Sequence, residues 1–329
     1  MAWVQFLLSA VIVVLAAIQL ANYGDAIAYR TGLGGLFIGS LLLAGATSLP
    51  ELLTMVNAIA QDHVDLTAGD LFGSSMFNML LLGVLDILFH QRRILRRVAL
   101  RHALTASLGT MLTGMVVFFL LADLDLRIGW VGLDSLLVLA MYVTGVWLLR
   151  SNPVSGGLPD SPAENTEAMP ALKKALIGFA VTAGVLVLTT PLMVRSGSEI
   201  ATLTGLGDGF VGMLLIAFVT SLPELVAMIS AVRFGAYDMA VGNLFGSNIF
   251  NMAALASGDL FYTQGNFFTA INPVFALAGL LAMLLTTLGL MGNLAQVERR
   301  IWFVEADALL LILCYIAGMF LLYARGIGG

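Results

Sequence analysis

The sequence predicts an all-α polytopic membrane protein, its ten transmembrane helices arranged as two inverted five-helix repeats. Three observations lead there. Of 329 residues, 60% are hydrophobic and only 11% charged, with mean hydropathy +0.98, a balance that no soluble domain of this length shows. Residues 24–80 align without a gap on residues 197–253 at an offset of 173, and 29 of the 57 positions are identical. The lysines and arginines also segregate by loop, as worked out below.

Apolar stretches near the ~20 residues that a bilayer requires recur along the chain. They lie at about 3–28, 36–60, 66–89, 98–122, 129–149, 172–195, 209–232, 239–262, 268–291 and 302–324. The first has no basic leader and runs into polar Asn22 and Asp25, so it reads as a retained helix. The second and seventh each hold a Pro and a Glu, and the third and eighth hold amides and serines at helical spacing. The last contains Cys314, the single cysteine, which excludes an internal disulfide and fits no metal motif.

With ten helices, Arg30, Arg92, Arg93, Arg96, Arg97, Arg101, Arg150, Lys173, Lys174, Arg233, Arg299 and Arg300 fall on one side, and Arg127, Arg195 and Arg325 on the other. This 12-to-3 split makes the first side cytoplasmic and sends both termini outward. The net charge of −5 matters less than that distribution.

Residues 1–150 form the first half, with its repeat at about 36–89. Residues 172–329 form the second, with its repeat at about 209–262. Five helices is an odd number, so the second half enters the membrane from the opposite face, as in many secondary transporters. Residues 151–171, rich in Pro, Ser and Gly, read as a flexible cytoplasmic connector too short for a folded domain. The basic run from Arg92 to Arg101 reads as an anchor at the inner headgroups, with an anionic-lipid site as the lesser reading.

The repeats carry the chemistry. Pro50 cannot donate to the carbonyl of Ala46, so the helix is expected to open around Ala46–Ser48. Thr47 and Glu51, four apart, share a face. Pro223 does the same for Val219, Thr220, Ser221 and Glu224. Each stretch offers a freed carbonyl, two hydroxyls and a carboxylate, the all-oxygen shell that hard cations such as Ca²⁺ and Na⁺ take. On the next helix, Asp70, Ser74 and Asn78 line one face, matched by Asn243, Ser247 and Asn251. Gly69, Gly73, Gly242 and Gly246 allow close helix approach. A lone intramembrane Pro, Ser or Asn is usually packing; a Glu beside a helix-breaking Pro, twice at equivalent positions, is hard to explain that way.

Other polar residues read differently. Asp65 and Asp238 begin helices and are expected to cap them; Asp86 and Asp259 are placed at outer helix ends. The Gly205-Leu206-Gly207-Asp208 stretch resembles an intramembrane aspartyl-protease signature but falls in a loop without a paired acid. His63, His90 and His102 are loop or interface residues.

Gly45-Ala46-Thr47-Ser48-Leu49-Pro50-Glu51 and Phe218-Val219-Thr220-Ser221-Leu222-Pro223-Glu224 resemble the paired α-repeat signatures of the cation/calcium exchanger superfamily. The stretch from Gly242 to Asn251 is similar to the second half of such a repeat, and the Thr-Ser-x-Pro-Glu form to the sodium-coupled branch. The resemblance covers both halves. It implies a prokaryotic-type Na⁺/Ca²⁺ exchanger of the cell (inner) membrane. Glu51 and Glu224 would be the Ca²⁺ carboxylates. Thr47, Ser48, Thr220, Ser221, Ser74, Ser247, Asn78 and Asn251 would complete the Na⁺ and Ca²⁺ sites, and the first and sixth helices would slide past a fixed core. The chain departs from the pattern at Asp70, where Asn is usual, and at Ser75, where the second copy has Asn248. If ionised, Asp70 takes the site from −2 to −3.

The expected activity is therefore electrogenic Na⁺/Ca²⁺ antiport. A proton- or K⁺-dependent exchanger, or one for another divalent metal, stands as the alternative. An intramembrane hydrolase or lipid-modifying enzyme lacks a nucleophile–base pair, and a channel fits inverted repeats around one buried site poorly. The expected partners are the two ions and the lipid bilayer, with no cofactor and no nucleic acid; oligomeric state is left open.

Overall fold

The computed structural model describes residues 1–31, 43–89, 94–124, 126–151, 170–233, 235–295, 300–301 and 304–327. The chain is mostly helical. Its helices begin with α1 (Ala2–Arg30), α2 (43–47), α3 (Leu49–Ala60), α4 (Val64–Leu88), α5 (Ile94–Ala122) and α6 (Leu133–Arg150) in the first half, and α7 (Leu172–Thr204) opens the second. Then follow α8 (Asp208–Val211), a π turn (Gly212–Ile216), α9 (Ala217–Thr220), α10 (Leu222–Arg233), α11 (Tyr237–Ser257), α12 (Phe267–Ala270), α13 (Phe275–Ala295) and α14 (Ala306–Leu322).

Among the described residues six stretches are long and apolar enough to cross a membrane: Ala2–Ile27, Val64–Leu88, His102–Ala122, Leu172–Thr204, Asp208–Arg233 and Ala306–Ile327. Leu49–Ala60, Leu133–Leu149 and Phe275–Met291 are shorter apolar helices. Leu, Val, Ile and Phe side chains stand exposed along α1, α7 and α14, among them Leu7, Leu15, Val181, Leu188, Leu313 and Phe320. Such a surface suits lipid and not water.

Burial divides these helices into a centre and a periphery. Helix α4 is buried over 78% of its apolar window, as a helix surrounded on all sides should be, so even the face with Asp70, Ser74 and Asn78 is turned into the protein. It packs against α11, α13, α14 and the α8–α9 stretch. Glycines allow the closest of these approaches. A Cβ on Gly73 would lie 2.6 Å from the Met213 carbonyl oxygen, and one on Gly69 would strike the carbonyl of Gly209. Helices α1 and α7 pair with each other along their length and bury a second apolar cluster, built on Val13, Ala17, Leu20, Leu186, Met193 and Val194, apart from the main core.

Several predicted boundaries move. The segment expected at 129–149 begins as a helix only at Leu133, because a two-stranded hairpin, Arg127–Ile128 with Val131–Gly132, precedes it. A second hairpin, Arg300–Ile301 with Val304–Glu305, precedes α14 and displaces the expected start at 302. Helix α7 runs past 195 to Thr204, despite the polar Arg195-Ser196-Gly197-Ser198-Glu199, and stops where Gly205 adopts φ 72°, ψ 7°. The stretch expected at 239–262 ends at Ser257 in a 3₁₀ turn, and Pro273 divides α12 from α13. Residues 36–42, most of the 151–171 linker, His90, and Arg92 and Arg93 of the basic run lie outside the described residues.

Neither Asp65 nor Asp238 caps its helix. Both lie in the first turn, one or two residues inside it, and neither N-cap makes a side-chain bond. Asp65 instead accepts from the backbone N–H of Asn272 at 3.0 Å, and Asp238 faces His102 at 3.6 Å. Asp259 is fully buried, accepting from the N–H groups of Gly132 and Phe267, so it anchors the first hairpin to α12.

Candidate functional site

The two proline-bearing segments break in the same way. Ser48 ends α2 with φ −88°, ψ 10°, and Ser221 ends α9 with φ −86°, ψ 2°. Each break lies two residues before its proline. The opening is narrower than the sequence suggests: Ser48 N–H still donates to Ala44 at 2.9 Å, and Ser221 N–H to Ala217 at 3.1 Å. Only the carbonyls of Ala46 and Val219 must lose their i+4 donors, because Pro50 and Pro223 have none to give. The preceding π turn, Gly212–Ile216, further loosens the backbone beside the second break.

Both breaks put their acids into the middle of the protein. Glu51, Asp70 and Glu224 are all 0% exposed, as are Thr47, Ser48, Thr220, Ser221, Ser74 and Ser247; Asn78 and Asn251 are 1% exposed. Glu224 Oε1 accepts from Ser48 Oγ of the other repeat at 2.9 Å and from Ser247 Oγ at 3.2 Å. Thr47 Oγ1 reaches Asn243 Oδ1 at 3.4 Å, and its counterpart Thr220 reaches Asp70 Oδ1 at 3.1 Å. Ser74 and Thr220 are 3.3 Å apart. Glu51 lies close enough to Glu224 and Asp70 for their charges to act on one another.

Asn78 and Asn251, buried on α4 and α11, bond to Asn248 and Ser75, while Thr47, Ser48, Asp70, Ser74, Thr220, Glu224 and Ser247 meet across α2–α3, α4, α9–α10 and α11 at one buried locus. They do so asymmetrically. Both carboxylate oxygens of Glu51, Asp70 Oδ2, Glu224 Oε2, Ser221 Oγ and the Oδ1 atoms of Asn78 and Asn251 have no hydrogen-bond partner among the described residues. Buried polar atoms without partners are rare and costly, and they point to a ligand. Among the described residues no three His, Cys, Asp or Glu side chains group as a metal site. An ion here would draw on hydroxyl, amide and backbone oxygens as much as on carboxylates, as a hard cation does.

Two further polar residues join Asn78: Asn248, marked in the sequence only as the counterpart of Ser75, and through it Thr286, which the sequence reading missed. Asn248 accepts from Asn78 Nδ2 at 2.9 Å and donates to the Ser75 carbonyl at 3.3 Å; Thr286, on α13, lies 3.5 Å from Asn248 Nδ2. Thr286 is outside the aligned repeat blocks, yet it falls 173 residues after Thr113, also buried, so the repeat offset was the available signal.

The family model for the sodium/calcium exchanger protein matches residues 1–150 and 174–324, which is both halves of the chain. The chain belongs to the sodium/calcium exchanger family. CaxA of Alkalimonas amylolytica is 26% identical over 328 residues, 97% of each chain. Two solved structures share the fold. The H⁺/Ca²⁺ exchanger CAX superposes with TM-score 0.72 at 16% identity, over 99% of this chain and 85% of that one. The sodium-calcium exchanger NCX_Mj superposes with TM-score 0.60 at 22% identity, over 97% of each chain. This member is thus a membrane transporter of the exchanger family, with relatives in prokaryotes.

Proposed function

We propose that the chain is an antiporter that lets Na⁺ in to drive Ca²⁺ out, binding both ions at the locus between the two proline breaks. The observation that carries this reading is the set of carboxylate oxygens on Glu51, Asp70 and Glu224 that have no partner among the described residues, in fully buried positions among serine, threonine and asparagine oxygens. Glu51 and Glu224 neutralise Ca²⁺. Thr47, Ser48, Thr220, Ser221, Ser74, Ser247, Asn78, Asn251, Asp70 and the carbonyls of Ala46 and Val219 share the remaining coordination of the two ions. Competition for shared oxygens couples the fluxes, and several Na⁺ exchanged for one Ca²⁺ move net charge.

Ten spanning helices are part of the proposal. The three shorter apolar helices and α11, whose polar residues lower its hydropathy, join the six clear spans. The halves are then inverted, both termini face outward, and residues 151–171 lie in the cytoplasm. The close pairing of α1 with α7, whose apolar cluster meets the core only through Ala58, Leu66, Ile216 and Val219 among its buried members, supports their moving together past the core to alternate access.

Asp70 favours a second reading, in which a third carboxylate brings a proton or K⁺ into the cycle. The test is Ca²⁺ uptake by the reconstituted protein with Glu51→Gln or Glu224→Gln. Each is expected to abolish uptake while the protein stays folded and monodisperse; full activity in both would refute the site.

A further inference from the structure

Asparagine can present either its oxygen or its NH₂ to a site, and a cation needs the oxygen. Two hydrogen-bond chains bear on that choice, and both start at backbone carbonyls, which can only accept. In the first, Ser75 Oγ spends its proton on the Leu71 carbonyl at 2.9 Å. It can then only accept, and Asn251 turns its NH₂ to it at 3.4 Å, leaving Asn251 Oδ1 unpaired among the described residues. In the second, Thr286 Oγ1 spends its proton on the Ala282 carbonyl at 2.8 Å. Asn248 then directs its NH₂ at both the Ser75 carbonyl and Thr286 Oγ1. Its Oδ1 is left to accept from Asn78, which donates through Nδ2 at 2.9 Å and keeps its own Oδ1 unpaired among the described residues.

We propose that Ser75, Asn248 and Thr286 are positioning residues that lock the amides of Asn78 and Asn251 with their oxygens toward the transported ion. The divergence between the repeats at Ser75 and Asn248 has a physical reason in this arrangement. A small side chain at 75 leaves its own carbonyl within reach of Asn248, which gives both chains a fixed polarity. The proposal rests on the site reading above.

The test is a double-mutant cycle on Ca²⁺ transport by the full chain in vesicles, reading the half-saturating Ca²⁺ concentration separately from the maximal rate. Losing a group that orients a ligand typically weakens metal affinity about 10–100-fold. Ser75→Val is expected to raise the half-saturating concentration about tenfold, and Ser75→Thr, its isostere with a hydroxyl, to recover most of that loss. Combined with Asn251→Ala, Ser75→Val should add little to Asn251→Ala alone. Multiplying effects would overturn the orienting role and leave the site reading standing. An Asn251→Ala variant with unchanged affinity would overturn both. If Ser75→Val does not fold, Thr286→Val with Asn78→Ala makes the same cycle on the second chain: non-additivity supports the proposal, and additivity refutes it.

Discussion

Ser48 donates to Glu224 across the repeat interface at 2.9 Å, whereas among the described residues its counterpart Ser221 leaves its hydroxyl unpaired and Glu51 without a partner. One half of the locus is thus held by protein hydrogen bonds and the other is open. Ser48→Ala removes the shorter of the two bonds to Glu224 Oε1 among the described residues and leaves only Ser247, a loss of about 1 kcal/mol. Ser221→Ala removes no bond seen here. Thermal unfolding in detergent without Na⁺ or Ca²⁺ should show a lower midpoint for Ser48→Ala than for Ser221→Ala.

Asp70→Asn tests the third carboxylate with little structural cost. An Asn Oδ1 can accept from Thr220 as Asp70 Oδ1 does at 3.1 Å, just as Asn243 does from Thr47. Folding should be retained. With one acid fewer near the ion, the half-saturating Ca²⁺ concentration should rise about tenfold, since the charge of the ligand set tunes Ca²⁺ affinity. Equal affinities for the variant and the parent would remove Asp70 from the site.

Backbone contact between α4 and the π turn gives a packing prediction. Leu at Gly73 would drive its Cβ into Met213 and Ala217, with neighbours at 2.6–2.8 Å. Overpacking of this kind costs typically 1–3 kcal/mol, and more where backbone cannot yield. Gly184, exposed on α7 with nothing within 4 Å of a new Cβ, is the contrast. Gly184→Ala should be neutral or stabilise by up to ~1 kcal/mol through helix propensity. Unfolding midpoints of the two variants against the parent decide the point.

Glu51, Thr47, Ser48, Ser74 and Asn78 stand out in the sequence because each recurs at one offset within an apolar context, and Asp70 because its counterpart is Asn243. What was not legible has physical causes. The two hairpins are short and preceded or followed by apolar helix, so hydropathy absorbed them into spans. Yet Arg127, Ile128, Val131, Asp134, Leu136 and Leu137 recur as Arg300, Ile301, Val304, Asp307, Leu309 and Leu310 at the same offset, and both hairpins pair in the same register. Asp65 looked like a cap because it begins a helix, but a tertiary backbone N–H, from Asn272, claims it. The polar end of α7 continues as helix because Ser196 and Ser198 face inward contacts. Ser196 bonds its own helix at 2.7 Å, and Ser198 approaches His63 at 3.4 Å, itself 2.8 Å from Asp208. The asymmetry between Glu51 and Glu224 depends on distances that no spacing rule contains.

Sodium coupling is tested most directly by Ca²⁺ uptake into proteoliposomes loaded with Na⁺, compared with liposomes loaded with K⁺ or given a pH gradient. The account predicts uptake only where internal Na⁺ exchanges for external Ca²⁺. Uptake driven by the pH gradient or by K⁺ without Na⁺, or none with any gradient, would contradict it.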